Sequence, residues 1–372
     1  MVTQYLSTYA ILPGGPPKIE GDWHHVLVVP SFDESADFLH RLTATQEHTS
    51  LLIVLVINRP EGSDAACNDE VGEYLAQQPT QSLQTGYQLH QLSEALSLLS
   101  IDLEALEGPT PAAQGVGRAR RVGCDTALAL IQQGVIKSPW IYSGDADAAW
   151  PEGFFNSDWP AQHSAICLPF SHEPGGEPTV TSATLIYELK IHHYMLQLER
   201  IGTPYAFHTL GSSCALHNEA YAAVRGVPLR SAGEDFYLLN KLAKIAPVHT
   251  AKGCGVTLQS RRSQRAPFGT GPAVNELLTA ERHSDVPIFY DARCFDTLAI
   301  VIERFNHWIL EPQPDPKRDL HDYVDPVIAD DLSDLLTRWR YQRAIQHIQR
   351  AAAAPSARQR HADIWFDGFK LL

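Results

Sequence analysis

The longest unbroken aliphatic run in the 372 residues is LLIVLVI at 51–57. A helix that crosses a bilayer takes about 20 apolar residues, so no transmembrane segment is expected. The first residues, MVTQYLSTYAILPGG, hold neither a basic start nor a sustained apolar stretch, and no secretory signal is expected either. No C-x-x-C occurs: the six cysteines, Cys67, Cys124, Cys167, Cys214, Cys254 and Cys294, stand 40 or more residues apart. That spacing suggests neither a zinc ribbon nor a disulfide framework, and it leaves a reduced, cytoplasmic setting as the expectation. Basic residues are in deficit, 29 Lys and Arg against 43 Asp and Glu, for a formal charge of -14. A surface wholly devoted to the phosphate backbone of a nucleic acid is thereby excluded, and no nucleic-acid partner is expected. Internal repeats and extended low-complexity tracts are also missing. What is present is an ordinary globular composition, 44% hydrophobic and 19% charged, with mean hydropathy -0.18. The length provides ample core without staples and suggests two domains, or one large α/β unit with an appendage.

Along the chain, VLVVP at 26–30 and the β-branched run at 51–58 read as buried strands. Helical spacing of Phe38, Leu39 and Leu42 lies between them, and a helix follows from Asn68. This alternation predicts a parallel, doubly wound sheet. GPTPAAQGVG at 108–117 is a breaker-rich loop, with a helix predicted from about Arg118 to Gln133. A strand is predicted at Trp140 to Tyr142 and another over 164–170, then a long helix over 181–201, an extended stretch over 205–216 and an amphipathic helix from Glu234. Extended runs flank Lys252–Gly255 and lead into SRRSQRAPFGTGP, an ordered or closing loop over 260–272. The pattern is helical from Phe295 on. The charge-rich 311–331 segment reads as a linker, 329–350 as one long amphipathic helix, and AAAAPSARQRH as a polar break. The Trp365-Phe366 region offers a place for a peripheral membrane contact.

In an open parallel sheet, ligands bind beyond the carboxyl ends of the strands. Three acidic groups stand at such places: Asp33-Glu34, Asp145-Ala146-Asp147, and Glu234-Asp235. Two acids one residue apart on a bend can aim oxygens at one point, as a hard divalent cation with a substrate's phosphates requires. Roughly five acid-x-acid triplets arise by chance in a chain this acidic, so position carries the argument. The alternative for Asp145 is a solvated turn in which it bonds backbone amides. For Glu234 and Asp235 the alternative is complementing a helix dipole, with Lys241 and Lys244 toward the other end. Arg118, Arg120, Arg121, Arg261, Arg262 and Arg265 suit phosphate oxygens if they converge, and are solvated basic patches if they do not. GVGRAR follows a loop rather than a strand and is a poor dinucleotide fingerprint. His172, His208 and the cysteines read as packing residues.

Taken in order, segments over about residues 24–272 resemble glycosyltransferase family 2, with the GT-A fold. VLVVPSFDE is similar to the family's opening strand and P-x-Y-N-E segment, with Phe32 and Asp33 in place of the usual aromatic and Asn. VINRPEGSD stands at the second strand, with Asn58 where Asp is common. GRARRVGCDTAL is similar to the A-R-N-x-G helix, with Arg120 on the Arg and Arg121 on the Asn. SGDAD looks like the D-x-D. SSCALHNEAYAAVRGVP followed by AGED is similar to the segment that ends in the E-D pair. QSRRSQR has no Trp and does not match the Q-x-x-R-W box of processive synthases.

The resemblance implies a GT-A type, Rossmann-like, mostly parallel sheet flanked by helices. It places a glycosyltransferase domain over 1–300, with a nucleotide-binding half at about 24–150 and an acceptor half at about 151–300, and a helical extension over 301–372. It implies inverting transfer of a sugar from a nucleotide diphosphate donor to a hydroxyl acceptor, with Mn²⁺ or Mg²⁺ as cofactor. Pro30, Phe32, Glu34, Asn58, Arg120 and Asp145 then serve the donor. Asp147 and Asp145 hold the metal, and Arg262 and Arg265 act on the phosphates from a closing loop. Glu234 lies on the acceptor side, and Asp235 is the catalytic base, expected to be ionised by its helix N-terminus. Self-association is possible. Two other classes remain open on the residues alone: a sugar-phosphate type nucleotidyltransferase, and a non-catalytic nucleotide-sugar-binding protein.

Overall fold

The computed structural model describes residues 1–253, 255–263, 269–280, 286–310 and 315–372. It divides into two units. One comprises Met1–Leu189 and Phe207–Val286, the other Lys190–Ala206 and Pro287–Leu372.

The strands of the first unit are β1 (His25–Ser31), β2 (Leu51–Ile57), β3 (Thr80–Gln84), β4 (Tyr87–Gln91), β5 (Leu96–Asp102), β6 (Trp140–Ser143), β7 (Ala148–Ala149), β8 (Ala165–Cys167), β9 (Phe170–Glu173), β10 (Cys214–His217), β11 (Val248–Thr250) and β12 (Val256–Gln259). Nine of them form one sheet in the order β11-β8-β10-β6-β1-β2-β5-β4-β3. Its centre, β6-β1-β2-β5, is parallel. Both β1 and β2 are buried almost throughout, as continuous apolar runs covered on two faces should be. The flanks are mixed, which corrects the expectation of a mostly parallel sheet: β11 pairs with β8 in parallel, but the other flanking pairs are antiparallel. β10 runs antiparallel to both β6 and β8, and β3-β4-β5 is an antiparallel meander. The physical reason at the meander is a turn too short for a crossover, closed at Gly86 with φ 73.

Strand β5 escapes a reading for apolar runs because Ser97 and Ser100 interrupt it. Both hydroxyls are partnered in the interior, Ser97 by the Trp23 indole N–H (3.2 Å) and Ser100 by His90 (2.9 Å). The expected single strand over 164–170 is two strands, because Pro169 lacks the N–H that would continue a ladder. β8 stays in the large sheet, and β9 joins a second sheet of order β7-β12-β9.

The helix Gly115–Gln132 starts three residues earlier than its sequence suggests and packs on β1, β2 and β6. Gly123 permits the approach: a Cβ there would lie 2.4 Å from Val28 Cγ1. On the same helix, buried Asp125 accepts hydrogen bonds from the Tyr5 hydroxyl (2.5 Å), the Ile11 amide (2.7 Å), the Tyr221 hydroxyl (2.7 Å) and Arg121 Nε (2.7 Å). Arg121 also donates to the carbonyls of Tyr9, Arg225 and Val227. Its place is therefore a buried polar network that ties down the N-terminal helix Val2–Thr8.

The second unit is helical and has its own core, centred on Val301, Phe305, Trp308, Leu336, Tyr341 and Phe366. The expected linker over 311–331 holds two helices, Pro316–His321 and Pro326–Arg338. Their starts are Asp-Pro pairs. Asp315 and Asp325 cap and proline takes the first helical position, where its missing N–H costs nothing. The expected helix over 329–350 is broken at Arg340, which is left-handed at φ 59, and resumes as Tyr341–Ala351. The expected polar break is the start of another helix, Pro355–Trp365. Trp365 stacks on Phe305 with ring centroids 4.5 Å apart, and Phe366 is 4% exposed. These aromatics belong to the core rather than to an outward contact. No helix among the described residues is long and apolar enough to cross a membrane.

Candidate active site

A cavity of about 430 Å³ opens beyond the carboxyl ends of β1, β2 and β6. Its wall includes Pro30, Phe32, Glu34, Asn58, Asp145 and Asp147, six residues selected from the sequence. Each gets there by ending a strand or following one. Asp33 takes a left-handed conformation (φ 52), which Asp tolerates better than most residues, and its amide donates to Asn68. Asn58 is buried at the end of β2, where its side-chain oxygen accepts from the Thr110 hydroxyl (2.5 Å). Asp145 to Asp147 turn directly out of β6. Trp150, buried just beyond, stacks on Phe155 and fixes the chain after the turn.

Two arginines organise the acids. Arg120 is buried and spends its guanidinium entirely on protein partners. Nε donates to Glu234 (3.1 Å) and one terminal nitrogen to Asp145 (2.7 Å). The other terminal nitrogen donates to Ser143 Oγ (2.7 Å) and the carbonyls of Gly144 and Gly211. Burial works against its charge, but Asp145 and Glu234 more than restore it, and its pKa lies well above the ordinary value. Arg120 thus joins the D-x-D turn to the E-D pair some ninety residues later. Glu234, 3% exposed, turns inward onto Arg120. Asp235 accepts from the amides of Gly211 (2.9 Å) and Phe236 (2.7 Å). Gly211 is squeezed between the two groups: a Cβ on it would lie 3.0 Å from the Arg120 guanidinium and 3.3 Å from Asp235 Cβ. Asp235 is half-buried beside Arg120 and outside the wall of the cavity itself.

Burial and the neighbouring Glu234 push the Asp235 carboxyl up to about 7; Arg120 and the two amides offset only part of this. This surrounding opposes the ionised form that the helix N-terminus was expected to favour at Asp235. A half-screened dipole is worth a fraction of a kcal/mol to about 1 kcal/mol, less than the cost of a carboxylate under cover and beside another.

The second organiser is Arg261. It makes a fork onto Glu34 (2.8 and 2.9 Å) and also donates to Asp147 from Nε (3.2 Å) and a terminal nitrogen (3.0 Å). Burial, Asp145 and Glu34 raise the Asp147 carboxyl above its ordinary range, and Arg261 works against that rise. Arg262 points elsewhere and pairs with exposed Glu177 (3.0 Å). Arg265 lies outside the described residues, as do residues 264–268 of the expected closing loop; the helix Thr270–Thr279 begins at its end. Arg118 pairs with Glu107. The five described arginines of the six therefore divide: Arg120 and Arg261 hold acids of the site, Arg121 holds a structural network, and Arg118 and Arg262 make outward pairs. Arg261 could have been preferred over Arg262 on the same rule that selected the acids, since it follows β12 by two residues, as Asp145 follows β6. Thr110 and Ser31 line or support the cavity and carry no sequence signal of their own.

Among the described residues no group of three or more His, Cys, Asp or Glu side chains is placed to hold a metal ion. A cation that acts on phosphates needs fewer: Mg²⁺ and ions like it keep waters and are bound through one or two carboxylates plus the substrate's phosphates. Asp145 and Asp147, both on the cavity wall, are the two carboxylates that such a mode of binding would use. His172 and His208 are structural, held by Glu188 (2.8 Å) and the Leu168 carbonyl (2.7 Å). Burial raises the thiols of Cys124, Cys167 and Cys214 and leaves them unreactive.

No family model and no curated protein matches the sequence. Among solved structures, the chain is similar to a mannosyltransferase from Pyrobaculum calidifontis determined in complex with GDP-mannose and Mn²⁺. The identity is 15%, the match covers 96% of this chain and 82% of that one, and the TM-score is 0.37. At that score the likeness is no guide to what this chain does, and a functional reading rests on the crevice.

Proposed function

We propose that the protein is a glycosyltransferase that moves a sugar from a nucleotide diphosphate donor to a hydroxyl acceptor. The observation that supports this most is a cavity lined by Asp145 and Asp147 whose D-x-D turn is joined to the Glu234-Asp235 pair through Arg120, which bonds Asp145 and Glu234. In this reading the nucleotide lies along Pro30, Phe32 and Asn58, with its diphosphate toward Asp147. A bound divalent ion, held by Asp147 with Asp145 nearby, supplies charge neutralisation at the departing diphosphate. Asp235 takes the proton of the acceptor hydroxyl as its oxygen bonds to the anomeric carbon and the bond from that carbon to the diphosphate oxygen breaks. The carbon passes through an oxocarbenium-like state, and attack opposite the leaving group inverts its configuration. Glu234 acts through Asp235: buried beside it and bonded to Arg120, it helps to raise the carboxyl of the base. A carboxyl poised near neutrality favours this reading over a purely nucleotide-sensing protein, which has no use for a base there.

The test is a donor-hydrolysis screen over UDP-, GDP- and dTDP-sugars with and without Mn²⁺, in the wild type and in Asp147→Ala and Asp235→Asn. Release of nucleoside diphosphate that requires the ion and is lost in Asp147→Ala supports the proposal. Asp235→Asn should still bind donor while turnover falls by orders of magnitude. Binding of nucleoside triphosphates with release of pyrophosphate would replace it with nucleotidyl transfer.

A further inference from the structure

We infer that Arg261 is a built-in counter-ion: it stands at the cation position of the crevice when no donor is bound, and on donor binding it gives up Asp147 and turns onto the diphosphate. The inference rests on the transferase reading above. Four hydrogen bonds from this one guanidinium go to two carboxylates, Glu34 and Asp147, which line the same cavity. A guanidinium that donates to Asp147 Oδ2 from two nitrogens competes directly with a metal ion for that oxygen. The cavity wall is acidic, with Glu34, Asp145 and Asp147 against Arg261, while Arg120 bonds Asp145 from outside that wall. Without Arg261, Asp147 and Glu34 face each other uncompensated. A donor diphosphate with a divalent ion changes the balance: the ion satisfies Asp147, and the phosphates offer the fork a new anionic partner with matching geometry.

The exchange needs a side-chain movement only. The backbone beneath Arg261 is anchored to the turn that it serves: the Gln259 amide donates to the Asp147 carbonyl (3.2 Å), and β12 pairs with β7, which follows Asp147 at once. Arg120 cannot play this part, because it is buried and held at once by Glu234, Asp145, Ser143 and the carbonyls of Gly144 and Gly211. Arg261 is about a third exposed and its partners sit at the cavity wall.

The prediction is a pair of opposite effects. Mn²⁺ binding to the full-length protein is measured without nucleotide, from the free-ion signal in electron paramagnetic resonance. Binding of UDP and GDP is then measured by calorimetry at saturating Mn²⁺. Arg261→Met should bind Mn²⁺ alone at least tenfold more tightly than the wild type, and nucleoside diphosphate at least tenfold more weakly. Arg261→Lys keeps the charge but not the fork. It should bind Mn²⁺ alone no more tightly than the wild type, and diphosphate with intermediate strength. If the wild type binds diphosphate with Mn²⁺ and the two constants of Arg261→Met stay within twofold, or do not move in opposite directions, the counter-ion role is overturned and the transferase reading stands. If the wild type shows no ion-dependent diphosphate binding, the transferase reading fails and this inference fails with it.

Discussion

At the scale of single residues, the site is defined by which charges face which. Asp235 is the case with the clearest consequence for pH. Its folded pKa of about 7 lies above the unfolded value of 3.8, so the folded state binds a proton more readily than the unfolded chain. The stability contributed by the neutral carboxyl is complete below the unfolded value and is lost as pH rises through 7. In thermal melts, Asp235→Asn should therefore gain on the wild type between pH 4 and pH 7 and show no further gain above. Turnover runs the other way, because the base is the ionised form. Its rate should climb tenfold per pH unit below 7 and level off above, and a profile flat from pH 5 to 8 would remove Asp235 from proton transfer. Arg120 gives a stability prediction. Arg120→Met leaves buried Glu234 uncompensated, and urea denaturation should show a loss of about 3–5 kcal/mol, the cost of breaking a buried pair from one side. A loss under 1 kcal/mol would mean that water replaces the guanidinium at Glu234.

The elements show how the same residues come to be arranged. The helix Gly115–Gln132 carries Arg120 into the crevice and Arg121 into the Asp125 network, two neighbouring positions with different duties. That helix can serve both only because it lies close on β1. Gly123→Ala would force a methyl to within 2.4 Å of Val28 Cγ1, so the helix must lift or Val28 must move. We expect a loss of about 1–3 kcal/mol in chemical denaturation, together with weaker nucleotide binding as Arg120 shifts. Unchanged stability would show that the helix and sheet have slack there. The short strand pair β7-β12 does a similar service for Arg261, since a few backbone hydrogen bonds fix where a long, flexible side chain starts.

Over the whole molecule, each unit has its own apolar core, and this sets how the protein should come apart. Phe305 is fully buried among Trp308, Trp365 and Phe366. Phe305→Ala removes about 3–5 kcal/mol of packing from that core. Hydrogen exchange in this variant should lose protection across Pro287–Leu372 and Lys190–Ala206 while β1, β2 and β5 keep theirs; uniform loss would make the chain a single cooperative body. The amino-acid sequence was sufficient for the central strands, for the Gly115–Gln132 helix, and for the acids beyond the strand ends, because apolar runs, turn residues and strand-end positions are local signals. It was not sufficient for β3 to β5, where partnered serines hide a buried strand, nor for the C-terminal helices, whose Asp-Pro starts imitate a linker. Local pattern could have favoured Arg261 over Arg262 as a residue of the site, but not said which acid each arginine meets. Arg261 rather than Arg262 reaches Asp147, Glu234 turns inward, and Asp235 titrates near neutrality, because charge pairing and desolvation depend on distances between segments a hundred or more residues apart. Those distances exist only once the large sheet and the small β7-β12-β9 sheet have brought these segments together.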